Sequence, residues 1–137
     1  MATIALKPLR LPRLWLGLWL LAIGIVVGVC LIPSPDLPSM PRNVDKLEHA
    51  LAFFVLSAFA VQLFVPGRPL LRAMTGLVIL GMAIELAQGV FTIDRSADPL
   101  DALADILGVL LGFAILLTPW RDQLLRIERR ITTGTRQ

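Results

Sequence analysis

Long apolar stretches alternate with short polar segments along this chain. Each stretch holds about 19 to 22 residues, and at about 1.5 Å rise per residue a helix of that length crosses a hydrocarbon core of about 30 Å. Proline interrupts the pattern at Pro33, at Pro66 before Gly67, and at Pro119. The pattern predicts an all-α polytopic membrane protein, a four-transmembrane-helix bundle. The predicted spans are about 14–32, 47–65, 70–91 and 99–117.

The first span is distinguished from a cleaved signal sequence by its length. Its apolar run of about 19 residues is longer than a signal h-region, and further apolar spans follow it. Cys30 is preceded by Val29 where a lipoprotein cleavage site needs a small residue, so lipidation is disfavoured. As the single cysteine, Cys30 excludes an intramolecular disulfide.

Composition supports one membrane domain. Hydrophobic residues make up 56% of the 137 residues, and the mean hydropathy is +0.78, more than a soluble core of this size needs. The net charge of +3 and the pI of about 10.0 are typical of membrane anchoring. A nucleic-acid partner is disfavoured, because the sequence offers no soluble basic domain to bind it.

The positions of the cations predict the orientation. Ten of the thirteen lysines and arginines lie in 1–13, at Arg68 and Arg72 around the start of the third span, and in the tail 118–137. With four spans these segments share one face, and cations accumulate on the cytoplasmic side. We therefore expect an inner-membrane protein with both termini cytoplasmic. The amphipathic part of the tail, with Leu124, Leu125 and Ile127 on one side, is expected to lie as a solvated segment against anionic headgroups.

Polar residues interrupt the spans at one level, near the outer face. Asp45 and His49 share a stripe of the second helix, and Glu85 and Gln88 share a face of the third. Glu85 lies about 9 Å below the end of its span, and Asp105 lies at a similar depth in the fourth helix. The pattern predicts one outward-facing polar pocket. Its candidate residues are Asp45, Lys46, His49, Glu85, Gln88, Arg95, Asp101 and Asp105.

Glycine pairs indicate which helix faces pack inward. Gly108 and Gly112 continue the stripe of Asp101 and Asp105, so the acidic face of the fourth helix is expected to face protein rather than lipid. Gly24 and Gly28 repeat the spacing in the first helix, which predicts that this helix also packs there. The glycine faces on the first and fourth helices are also compatible with a homo-oligomer.

At these residues the chain resembles the VanZ-like membrane proteins, a family named for a member associated with teicoplanin resistance. The resemblance covers about 45–117. It implies a helical membrane module in or near the cell envelope. The chain departs from the family pattern at Asp105, where the family has Asn. The matching residues are Asp45-Lys46-Leu47-Glu48-His49, Phe53, Phe54, Glu85-Leu86-Ala87-Gln88, Arg95, Asp101, Gly108 and Gly112.

Structural roles compete with a site role at several positions. Asp45 and the aspartates that begin the fourth helix, Asp98 and Asp101, are also explained as helix-capping carboxylates. His49 is equally well explained as a packed, hydrogen-bonded residue. Arg95 either neutralises nearby acids or binds an anionic headgroup. The site role is favoured most at Glu85, since a carboxyl within an apolar helix must be paired, protonated or used.

Three function classes are compatible with this pocket. The leading hypothesis is a binding or envelope-modifying protein that contacts a lipid headgroup, a cell-wall precursor or an amphiphilic, glycopeptide-like antibiotic. The second is a metal-dependent enzyme, because His49, Glu85, Asp101 and Asp105 offer ligands for a divalent ion. The third, a proton-coupled carrier, is disfavoured by the absence of a polar path to the cytoplasmic half.

Overall fold

The computed structural model describes residues 5–31, 42–91 and 98–134. Within them the chain is all-α, and it contains four helices long and apolar enough to cross a membrane, as the hydropathy pattern predicted. A fifth, short helix follows two 3₁₀ turns, Ala114–Leu117 and Pro119–Asp122. The helices are α1 Pro12–Leu31, α2 Arg42–Leu63, α3 Arg68–Phe91, α4 Pro99–Phe113 and α5 Gln123–Gly134.

The bundle has two ends, and the helix order decides which segments lie at each. We call the end formed by residues 5–13, 63–72 and 114–134 the terminal end. The opposite, polar end holds the start of α2, the last turns of α3 and the start of α4. Helices α2 and α4 therefore run in the same direction, from the polar end towards the terminal end.

The closest helix contact joins α2 to α4 along the predicted glycine stripe. A Cβ atom at Gly108 would overlap the carbonyl oxygen of Ala50, and one at Gly112 would lie 2.6 Å from the carbonyl oxygen of Phe54. Ser57 Oγ in α2 adds a hydrogen bond of 2.7 Å to the carbonyl oxygen of Val109. The prediction that the acidic face of α4 packs inward is confirmed, because glycine lets the two backbones touch.

The corresponding prediction for α1 is wrong within this chain. Gly24 and Gly28 are exposed, and a Cβ atom at either would meet nothing within 4 Å. Instead α1 packs through bulky side chains on its other face. Trp19 is buried against Phe64, with ring centroids 5.4 Å apart, and its Nε1 donates to the carbonyl oxygen of Leu56 over 2.9 Å. The GxxxG spacing alone carries no information about which face meets a neighbour.

The segment after α4 is docked on the bundle rather than being only a solvated tail. Leu124 and Glu128 of α5 are buried. Glu128 accepts hydrogen bonds from the backbone of Arg10 over 2.7 Å and from Trp15 Nε1 over 2.6 Å. The expectation of a solvated tail lying against headgroups therefore needs correction, since one buried acid fixes α5 to the start of α1. Ile127 remains exposed, as a surface-lying helix requires.

Candidate polar site

Three ionisable side chains from three helices meet at the polar end. Nδ1 of His49 in α2 lies 3.0 Å from Oδ1 of Asp105 in α4 and 3.9 Å from Oε1 of Glu85 in α3. When the Asp105 carboxyl is ionised it only accepts hydrogen bonds, and His49 Nδ1 then supplies the proton of this short contact. We call His49, Glu85 and Asp105 the central cluster.

The central cluster is deeply buried. Asp105 is 1% exposed, while His49 and Glu85 are each 5% exposed. Among the described residues, Glu85 Oε1 and Asp105 Oδ2 have no hydrogen-bond partner. A buried carboxylate oxygen without a partner costs free energy. The cluster is therefore a place where a further proton, cation or donor group would be stabilising.

Lys46 forms a second group of charges one turn closer to the helix ends. Its Nζ lies 2.7 Å from Asp98 Oδ2 and 2.8 Å from Asp101 Oδ1. Asp98 also caps α4, because its Oδ1 accepts from the amide of Leu100 over 2.9 Å. Asp101, predicted as a pocket and metal-binding residue, thus has one oxygen bonded to an ammonium group, and it lies outside the group of three donors that approach one another.

Glu85 connects these two groups. Its Oε2 accepts a hydrogen bond of 3.2 Å from the backbone amide of Asp98, which fixes the start of α4 beside α3. This leaves Oε1 directed towards the central cluster. One carboxylate therefore supports a helix start and also directs towards His49 an oxygen that has no hydrogen-bond partner among the described residues.

One register along the parallel helices α2 and α4 explains both sets of contacts. Lys46 meets Asp101, and His49, one turn deeper, meets Asp105. One turn beyond Asp105, Gly108 of α4 lies against the backbone of Ala50 and Phe54 in α2. The close approach at the glycines therefore determines which cation each acid meets.

The other predicted pocket residues have different surroundings. Gln88 is buried and donates from Nε2 to the carbonyl oxygen of Cys30 over 2.9 Å, which joins α3 to the last turn of α1. Arg95 and the side chain of Asp45 lie outside the described residues.

Gly81 is a residue of the site that the sequence analysis missed. A Cβ atom there would lie 2.8 Å from Asp105 Oδ2, so only glycine leaves room for this carboxylate beside α3. The signal was present, because Gly81 precedes Glu85 by four residues and shares its helix face. A glycine one turn from a buried acid leaves space on that helix face for a side chain from a neighbouring helix, here Asp105.

A groove of about 410 Å³ between α1 and α2 is lined by His49, one residue of the central cluster. Its walls are apolar, and Glu48 and His49 provide polar groups along it. The groove is thus lined by both apolar and polar side chains. Its apolar lining consists of Ile25, Val26, Val29, Cys30, Ala52 and Phe53.

No family model, curated protein or solved structure matches this chain. The geometry of the polar end is therefore the basis on which a function can be proposed.

Proposed function

We propose that this protein binds an amphiphilic molecule of the cell envelope at its polar end. The observation that carries the proposal is the groove between α1 and α2, which joins apolar walls to Glu48 and His49. Ligand sites combine such an apolar lining with a few polar groups that fix orientation. The apolar part of the ligand occupies the groove, and its head contacts the polar residues.

The charges at the polar end restrict the chemistry of the ligand's head group. Among the side chains that the structure describes at the polar end, five carboxyl groups accompany one lysine and one histidine, and that lysine is already paired with two acids. An anionic head would meet like charge there. The ligand is therefore an amphiphile whose head carries an amine or several hydrogen-bond donors. The five acids are Glu48, Glu85, Asp98, Asp101 and Asp105.

The proposal agrees with the resemblance to VanZ-like envelope proteins, which leaves a lipid headgroup, a cell-wall precursor or an amphiphilic antibiotic as the ligand class. Membership of that family and a link to antibiotic resistance are part of the proposal. The orientation is also part of the proposal: the protein lies in the inner membrane, with its polar end on the outer side and its cation-rich terminal end in the cytoplasm.

Two amphiphiles with the same chain and different heads test the binding mode. We expect dodecylamine to raise the melting temperature of the protein in detergent more than dodecanoate does. Val29→Trp, which fills the groove, should abolish this difference. Leu21→Trp on the exposed face of α1 is the matched control and should retain it. Equal shifts for both amphiphiles, or an unchanged response in Val29→Trp, would contradict the proposal.

Thiol labelling in intact cells tests the orientation. In a Cys30→Ser background, cysteine at Ser39 or Ser96, both outside the described residues, should react with an impermeant reagent. Cysteine at Trp120, which is exposed at the terminal end, should be protected. The reverse pattern would place the polar end in the cytoplasm.

A metal-dependent membrane enzyme is the second candidate function. It is favoured because His49, Glu85 and Asp105 each offer a ligand atom, and these atoms lie within 4.8 Å of one another. One nitrogen and two carboxylate oxygens form a donor set for a divalent ion, and the two unpaired oxygens would gain a partner. Such an ion would polarise a phosphate or activate water on a lipid-linked substrate.

Asp105→Asn separates the two candidates. If a divalent cation binds, the variant should lose the stabilisation that Mg²⁺, Mn²⁺ or Zn²⁺ gives the wild type, because an anionic oxygen is removed. Asp101→Asn is the matched control and should respond like the wild type, since Asp101 is bonded to Lys46. If only an amphiphile with an amine head binds, divalent cations should stabilise the wild type and Asp105→Asn equally, and dodecylamine should stabilise the variant less than the wild type because a negative charge near the head is lost. An equal metal response in wild type and Asp105→Asn would exclude the metal centre.

The carrier alternative gains no support from the described core. Between Asp105 and the terminal end the buried side chains include Leu56, Leu77 and Val109, and Ser57 already donates to Val109. Proton transfer through the bundle requires a chain of polar groups.

A further inference from the structure

Two grooves lie on either side of α3 at the terminal end, far from the polar cluster. The first has a volume of about 490 Å³ and lies between α1 and α3. The second, of about 390 Å³, follows the outer side of α3 past Leu71, Thr75 and Ile79. Both are lined by Arg72 and Gly76, so the two grooves meet at these residues.

The walls of the first groove are almost entirely apolar. It follows α3 for about 12 Å, the rise over the eight residue steps from Arg72 to Leu80. Because these residues belong to a candidate membrane span, the groove faces hydrocarbon. Its apolar lining includes Leu16, Trp19, Leu20, Ile23, Leu77 and Leu80.

The junction of the grooves carries positive charge. Arg68 and Arg72 lie one turn apart on α3, and both are exposed. Among the described residues neither forms a salt bridge. They stand at the start of the span, which is the level of lipid headgroups. Two guanidinium groups at this level suit a phosphate, which arginine binds with paired hydrogen bonds.

Gly76 keeps the two grooves continuous. A Cβ atom at this position would meet nothing within 4 Å, so open space surrounds it one turn below Arg72. A large side chain there would occupy the junction between the grooves. The stripe Arg68, Arg72, Gly76 thus presents two cations above a gap with an apolar channel on each side.

We propose that α3 binds one diacyl phospholipid with an anionic headgroup at the terminal end. Its phosphate contacts Arg68 and Arg72, and its two acyl chains occupy the two grooves on either side of Gly76. Binding depends on shape as well as charge, because the cations lie directly above the channels. The proposal is independent of the ligand at the polar end, since it involves a different face and the opposite end of the bundle.

Native mass spectrometry tests the proposal with two lipids that share their acyl chains. The full-length protein is released from micelles containing equal amounts of phosphatidylglycerol and phosphatidylcholine. We expect the wild type to retain phosphatidylglycerol preferentially, by about fivefold or more for each arginine involved. Arg68→Gln with Arg72→Gln should remove the preference. Gly76→Leu should reduce retention of both lipids, because it blocks the junction of the grooves.

Arg13→Gln with Arg126→Gln is the matched control. It removes two exposed cations from the same end but leaves both grooves unchanged, so the preference should persist. Equal retention of the two lipids by the wild type would overturn the proposal. An equal loss in the Arg13/Arg126 control would show diffuse surface charge instead of a site. A lipid-free dimer that Gly76→Leu dissociates would assign the groove to a second copy of the chain and likewise overturn the proposal.

Discussion

The two ends of the bundle both bury charged side chains, but they treat them differently. At the terminal end, Lys7 donates to Asp122 Oδ1 over 2.9 Å and to the carbonyl oxygen of Arg121 over 2.6 Å. Glu128 accepts hydrogen bonds from the backbone amides of Arg10 and Leu11 and from the Trp15 indole. At the polar end, two buried carboxylate oxygens have no partner among the described residues.

This difference distinguishes buried charges that hold the fold together from buried charges that are available to a ligand. A buried ion whose hydrogen-bonding capacity is filled fixes two segments to each other, and the terminal end does this with α5 and the start of α1. A buried carboxylate whose capacity is incompletely filled retains free energy that a ligand can recover. The same residue types therefore hold segments together at the terminal end, and at the polar end they support the proposed binding site.

The largest expected effect concerns the glycine contact that sets the register at the polar end. Gly108→Ala places a methyl group on the carbonyl oxygen of Ala50 and should lower the free energy of unfolding by about 2–3 kcal/mol through overpacking. Gly24→Ala, on the exposed face of α1, is the matched control and should not be destabilising. Chemical denaturation in detergent measures both. Equal stabilities would mean that the close approach of α2 and α4 is wrongly described.

A second substitution compares the two ends directly. Glu128→Gln should lower the free energy of unfolding by about 2 kcal/mol, because an amide nitrogen then faces groups that all donate. Glu85→Gln should change it by less than about 0.5 kcal/mol, because the amide oxygen keeps the bond to Asp98 and a negative charge is removed. Arg126→Gln on the exposed side of α5 serves as a control. Similar losses of unfolding free energy in Glu128→Gln and Glu85→Gln would contradict the proposed difference between the two ends.

A double-mutant cycle sharpens the description of the central cluster. The effects of Glu85→Gln and His49→Ala on stability should be coupled by at least about 0.5 kcal/mol, because the two groups lie 3.9 Å apart. The corresponding cycle with Glu128→Gln and His49→Ala should be additive, since these residues lie at opposite ends. Additivity in the first cycle would contradict a shared site.

The smallest expected effect is the pH dependence of the terminal end. Burial acts to raise the pKa of Glu128, but hydrogen bonds from Arg10, Trp15 and Leu11 hold that pKa below its ordinary value of 4.5. The hydrogen bond from Lys7 likewise lowers the pKa of Asp122 below 3.8. A lowered folded-state pKa stabilises the fold above the ordinary pKa, and this contribution is lost as pH falls through the folded-state value.

Denaturation of wild type and Glu128→Gln between pH 3 and pH 7 measures this contribution. We expect the stability difference to be constant above about pH 5 and to shrink as the pH falls below the ordinary glutamate value. A difference that stays the same down to pH 3 would mean that the ionised carboxylate of Glu128 does not hold α5 in place.

Helix number and approximate helix position were predictable because bilayer thickness imposes a length that apolar runs reveal directly. The depth of Glu85, Asp105 and His49 followed from a rise per residue that hardly varies between helices. Docking of α5 was not predictable in this way. Glu128 lies in a sequence rich in arginine that also suits a surface helix, and its partners are about 113 to 118 residues away in the chain.

The sequence by itself determined which residues share a helix face and a depth, because helical periodicity and rise are local properties of the backbone. It indicated that Gly108 and Gly112 continue the acidic stripe, but it could not show that Gly24 and Gly28 face outward. Only the tertiary structure decided that Lys46 meets Asp101 while His49 meets Asp105. These pairings depend on the rotation and axial shift of α2 against α4, and those are set by backbone contact at the glycines, a property of two helices together.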